Sequence, residues 1–131
     1  MENKNKKKIV NTTNAPAAIG PYSQGIKVGN LYFFSGQLGI NPQSGELVLD
    51  FAGQLKQVMQ NIDGLLTSEN LKRNDIVKTT IFLTDLANFA QVNQAYETFF
   101  KAPYPARTTV EVSKLPKNGL VEIEVIATCD E

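Results

Sequence analysis

The stretch Val121-Glu122-Ile123-Glu124-Val125-Ile126-Ala127-Thr128 decides how this chain folds. Val121, Ile123, Val125 and Ala127 point one way, and Glu122, Glu124 and Ile126 the other. That period-two alternation belongs to a strand with one face in a core. Just upstream, Arg107 to Val112 reads as another strand, entered past Pro103 and Pro105, which stop the preceding helix. The helix itself begins near Asn88 and carries Phe89, Val92, Tyr96, Phe99 and Phe100 on one face. Before it, Ile76 to Leu83 is β-branched and aromatic enough to be a strand. Further back, Asp50 is placed to cap a long helix with one apolar stripe, Ala52, Leu55, Val58, Met59, Ile62, Leu65 and Leu66. Gly64 is expected to weaken its last turn. Ile26 to Ser35 gives two short strands around a Gly29-Asn30 turn, and Asn41 to Gly45 is a loop.

The order is therefore strand-strand-helix-strand-helix-strand-strand, an α+β fold with a single sheet. Two helices cover one face of such a sheet. The other keeps apolar residues beside Glu122 and Glu124, so the simplest arrangement packs several copies through these faces, with clefts where subunits meet. No repeat or linker divides the chain. Residues 9–131 are expected to form one domain behind a flexible basic tail, 1–8, in which Lys4, Lys6, Lys7 and Lys8 face only Glu2.

Composition narrows the chemistry. The 131 residues hold 13 basic and 13 acidic side chains, so no general charge attracts nucleic acid or a membrane surface. No apolar run follows the N-terminal lysines or approaches the length of a membrane span, and the chain is expected to be cytoplasmic. Histidine is absent and Cys129 is the only cysteine. Histidine-based nucleophilic dyads, the usual zinc sets and an intrachain disulfide are all excluded. Acid–base work must fall to carboxylates, lysine, tyrosine or the backbone.

Within Pro105-Ala106-Arg107-Thr108-Thr109-Val110, Arg107 stands at the start of a strand after a rigid proline loop. Its planar fork suits a ligand carboxylate; a surface arginine or structural ion pair is the competing reading. Glu122 lies about 6.6–6.8 Å from Glu124 along one strand face. Enclosure by neighbouring subunits and that like charge would raise its pKa and let it shuttle protons; a solvent-facing carboxylate is the alternative. Ala15 to Gly25 reads as a fixed, non-helical lead-in presenting Tyr22. In Ser35-Gly36-Gln37 the glycine permits a bend or close backbone approach, and Ser35 can bond a ligand or the turn. Asn93, inside a helix, points to a specific hydrogen bond, structural or to a ligand.

Taken together, Ala15 to Gly25, Ser35-Gly36-Gln37, Asp75 to Thr80, Val92 to Glu97, Pro105-Ala106-Arg107 and Val121 to Glu124 resemble the RidA/YjgF reactive intermediate deaminase family, in order and spacing, from about Ile9 to Ala127. The resemblance implies a chorismate-mutase-like fold assembled as a homotrimer with intersubunit clefts. It implies cofactor-free, metal-free hydrolysis of 2-iminobutanoate and 2-iminopropanoate, formed from 2-aminocrotonate and 2-aminoacrylate, to the 2-oxo acid and ammonia. Arg107 would then grip the substrate carboxylate, Glu122 handle water and protons, and the backbone at Thr109 help fix the ligand. Tyr22, Ser35 and Asn93 would line or support the cleft. One departure is visible: many relatives have cysteine where this chain has Thr109. Two other readings stand beside the deaminase, a non-enzymatic regulatory trimer that binds small carboxylates and an RNA-cleaving or translation-inhibiting protein. The second lacks the basic interior patch and interleaved aromatics that RNA binding needs.

Overall fold

The structure, a computed structural model, describes residues 6–130. Among the described residues seven strands form one sheet: β1 (Lys8–Val10), β2 (Gly25–Val28), β3 (Leu31–Phe34), β4 (Gln37–Leu38), β5 (Ile76–Leu83), β6 (Ala106–Glu111) and β7 (Val121–Thr128). Two helices interrupt them, α1 (Phe51–Ser68) before β5 and α2 (Phe89–Phe99) between β5 and β6. The sheet runs β1-β2-β3-β7-β5-β6, with β4 also on β7. Neighbours are antiparallel except β5 and β6, whose parallel pairing requires the crossover that α2 supplies.

The alternation in β7 sets the layers. Val121, Ile123, Val125 and Ala127 are buried, while Glu124 is exposed and Glu122 half-buried. On the buried side α1 packs Leu55, Val58, Met59, Ile62, Leu65 and Leu66, beginning where the Asp50 carboxylate accepts from the Gly53 amide. α2 adds Val92, Tyr96 and Phe99 to the same core. Tyr96 reaches the sheet itself, donating to Thr79 Oγ1 at 2.8 Å. On the opposite face Ile9, Leu31, Phe33 and Val110 remain exposed.

Two strands go beyond the expected order. β1 pairs Ile9 with Ile26 and buries Val10, so Lys8, expected in the tail, opens a strand; three residues are too few to show alternation. Residues 1–5 of that tail lie outside the described residues. β4 continues the line of β3 along β7. Phe33 pairs with Ile126 and Gln37 with Ile123, so four steps on one strand face three on the other. The extra residue is a bulge at Ser35-Gly36, where the sequence reads a bend or a close backbone approach.

Gly64 has a different role from the one expected. α1 runs on intact to Ser68. A Cβ at Gly64 would lie 2.2 Å from the Asn14 carbonyl oxygen, so the glycine lets the lead-in cross the helix. Gln24 ties that lead-in down, accepting from the Thr12 amide at 2.7 Å and donating to the Pro16 carbonyl at 2.8 Å. Gly64→Ala improves helix propensity yet is expected to cost about 1–3 kcal/mol through the backbone clash. A urea melt checks this.

Candidate active site

The proposed site residues fall into two groups. The first surrounds a cleft of about 600 Å³ and contains Tyr22, Ser35 and Glu122. β4 and β7 position the glutamate, since Leu38 pairs with Glu122. Gly36 makes the room for it: a Cβ there would sit 2.3 Å from Glu122 Oε2. The close approach expected of this glycine is thus to the candidate acid–base group. Burial raises the Glu122 pKa above the ordinary glutamate value, and the charge of Glu124 adds to the effect. Ser35 works locally, its hydroxyl donating to the Ser23 carbonyl at 2.7 Å and its amide to the Gln24 carbonyl at 2.9 Å. It fastens the lead-in to the bulge, leaving its oxygen lone pairs for a ligand. Tyr22 is 54% exposed on the cleft wall, its hydroxyl accepting from the Ile19 amide at 3.4 Å.

The second group is built by α2 and the start of β6. Asn93 Oδ1 accepts from Arg107 Nη1 at 2.8 Å, which is the specific hydrogen bond expected of this helical asparagine. One helical turn to either side, Phe89 and Tyr96 place their rings 5.2 Å from the guanidinium carbon. The three side chains stand at i, i+4 and i+7, one face of a helix. Burial pushes the Tyr96 phenol up to about 12, so its ring stays neutral beside the cation. The sequence places Phe89 and Tyr96 on the apolar face of the helix and marks no further role for them. Their spacing around Asn93 was the available signal for a second role.

Among the described residues the one ion pair is Arg73–Asp63, so Arg107 is not part of a structural salt bridge. A guanidinium has five donors, and here a single hydrogen bond is made, to Asn93. The other donors make no hydrogen bond among the described residues. Thr109, two residues along β6, carries a buried hydroxyl with no hydrogen-bond partner. Such a group costs stability that a thiol or methyl would not. Thr109→Val is expected to gain about 1 kcal/mol, a rise in Tm of roughly 3–5 °C by calorimetry.

The sheet register shows how the two groups relate. Arg107 pairs with Thr79 and Thr79 with Val125, all on the helix-covered side. Glu122 pairs with Phe82 on the other side. One chain therefore brings Arg107, Asn93 and Thr109 together, and separately Tyr22, Ser35 and Glu122, but holds the two sets on opposite faces of its own sheet.

Comparison with known proteins decides the family. The model of the family described as endoribonuclease L-PSP matches residues 12–129. The 2-iminobutanoate/2-iminopropanoate deaminase of Escherichia coli K12 is 50% identical over 123 residues, covering 92% of this chain and 96% of that protein. The chain belongs to the RidA/YjgF family. Solved RidA/YjgF structures share its α+β architecture. The Rid-family protein YyfA of Yersinia pestis superposes with a TM-score of 0.92 at 51% identity, over 95% of this chain and all of that one. TdcF of E. coli, solved with bound serine, does so at 0.89 and 42%, over 94% and 99%. Among the described residues no helix is long and apolar enough to cross a membrane.

Proposed function

We propose that the protein hydrolyses 2-iminobutanoate and 2-iminopropanoate to the 2-oxo acid and ammonia, in the cytoplasm, as a homotrimer. The observation that carries this reading is Arg107, a guanidinium braced by Asn93, Phe89 and Tyr96 and given no acidic partner. Such a group is prepared for a ligand carboxylate. The opposite placement of Glu122 argues for an assembly of copies: a complete site needs Arg107 of one copy and Glu122 of another. The exposed apolar face gives the copies a surface to share.

The chemistry asks little of the protein. A protonated imine is already a good electrophile, so the reading requires no metal or organic cofactor. Arg107 holds the carboxylate and fixes the imine carbon, while the Thr109 backbone completes the grip. Glu122, ionised, takes a proton as water adds to that carbon, giving a carbinolamine. It returns the proton to the amine, the C–N bond breaks, and the remaining hydroxyl loses its proton to leave the 2-oxo acid and ammonia. A carboxyl whose pKa lies above the ordinary value is suited to both roles near neutral pH. The identity with a named 2-iminobutanoate/2-iminopropanoate deaminase supports this substrate class.

The test generates the imine in situ with a threonine or serine dehydratase and lets semicarbazide compete for it. Suppressed semicarbazone formation supports the reading; an unchanged yield with folded protein rejects it. The bound serine of TdcF favours one second reading, a trimer that binds small carboxylates without turnover. Ligand binding with no imine decay would select it.

A further inference from the structure

In a single chain, before a second copy contributes its Arg107, the cleft beside Glu122 has a volume of about 600 Å³, and its lining includes a charge that the mechanism above does not use, Lys117. Pockets of about 300–1,000 Å³ commonly hold ligands much bigger than a four-carbon imino acid. The cleft is lined also by the Asn41–Gly45 turn and by Pro116 and Lys117. Asn41 Oδ1 accepts from the Gln43 and Ser44 amides, so that turn is already formed, polar and uncharged.

The segment after Pro116 is held in an unusual conformation. Lys117 has φ 57° and ψ 24°, and Asn118 has φ 61°. For Lys117 the left-handed region costs on the order of 1–3 kcal/mol, a burden that concentrates at functional sites, whereas asparagine adopts it readily. Their neighbours hold the turn: the Gly119 amide donates to the Pro116 carbonyl at 3.0 Å. Gly119 itself is buried, and a Cβ there would lie 2.8 Å from Leu38 Cδ2. The result sets Lys117 on the cleft wall. It makes no ion pair, although Glu122 lines the same cleft. An exposed ammonium on the lining of a cleft, with no ion pair among the described residues, is available to an anion.

We propose that Lys117 forms a side-chain subsite on the lining of the cleft, admitting 2-imino acids, and their 2-oxo products, that end in a second carboxylate. The proposal rests on the deaminase reading for the position of the α-carboxylate, and it adds a substrate class to it. Short imines would leave Lys117 in solvent.

Calorimetric titration with 2-oxoglutarate and 2-oxobutanoate tests it without relying on turnover. Wild type is expected to bind the diacid about five-fold or more tightly than the monoacid, in line with a partly solvated ion pair. Lys117→Gln should erase the difference by weakening the diacid alone, and Lys117→Arg should keep it. Equal affinities in wild type, or a Lys117→Gln loss that is the same for both ligands, would overturn the subsite. Hydrolysis of 2-iminobutanoate is measured in parallel. Its absence, with the diacid preference intact, would remove the deaminase reading and leave the anion subsite standing.

Discussion

Arg107→Ala is expected to lower kcat/KM for 2-iminobutanoate by roughly 10²–10⁴-fold while leaving the fold and assembly unchanged. The guanidinium offers the ligand carboxylate two charge-assisted hydrogen bonds of about 1.5–3 kcal/mol each, and about 1.4 kcal/mol is a factor of ten. Little stability should go with it. Arg107 is an exposed side chain without an ionic partner, and its removal uncovers only part of Phe89 and Tyr96. Arg107→Lys keeps the charge but loses the fork that Asn93 Oδ1 orients at 2.8 Å, so it should recover only part of the rate. Steady-state kinetics beside thermal melts of the variants measure both quantities. Wild-type kcat/KM in Arg107→Ala would take the arginine out of the mechanism.

Glu122→Gln is expected to separate activity from stability in opposite directions. Loss of the acid–base group should lower kcat by about 10²–10⁴-fold, the usual range for a positioned proton carrier. The same change should stabilise the protein at neutral pH. Glu122 has a folded pKa above its unfolded value because burial, and then Glu124, disfavour its charge. Between those two values the folded state binds more protons than the unfolded one, so stability falls as pH rises through that window. Below the unfolded value nothing is lost; above the folded value the full penalty applies. Melts at several pH values should therefore show Glu122→Gln above wild type near pH 7 and level with it at acid pH, once both forms are neutral. A variant less stable than wild type at neutral pH would mean that Glu122 serves the scaffold.

The alternation of β7 and the apolar stripe of α1 make the layers legible in the sequence, because each pattern spans enough residues to be periodic. β1 and β4 are too short for that. Their existence depends on partners far along the chain, Ile26 for one and Glu122 for the other. Gly64 shows the complementary limit. Helix propensity marks it as a weakness, and only the tertiary crossing of Asn14 gives it a purpose. In the candidate site, residue types suggested Arg107, Glu122 and Asn93, and the sequence could anticipate the close approach at Gly36. The brace of Phe89 and Tyr96 around Arg107 was hidden because the same spacing describes an ordinary core face. The separation of Arg107 from Glu122 needed the sheet register, since the face a residue takes depends on every pairing between the strands.

That separation makes the central claim testable by mixing. Arg107→Ala and Glu122→Gln subunits, each inactive alone, would be unfolded together, refolded and assayed as the mixture. If the site takes its arginine and its glutamate from different copies, random mixed trimers should recover roughly a quarter of the wild-type rate, because some interfaces pair two intact halves. If mixed assemblies form, as native mass spectrometry would register, and the rate stays at that of the separate variants, the site is not shared between copies and the account is wrong.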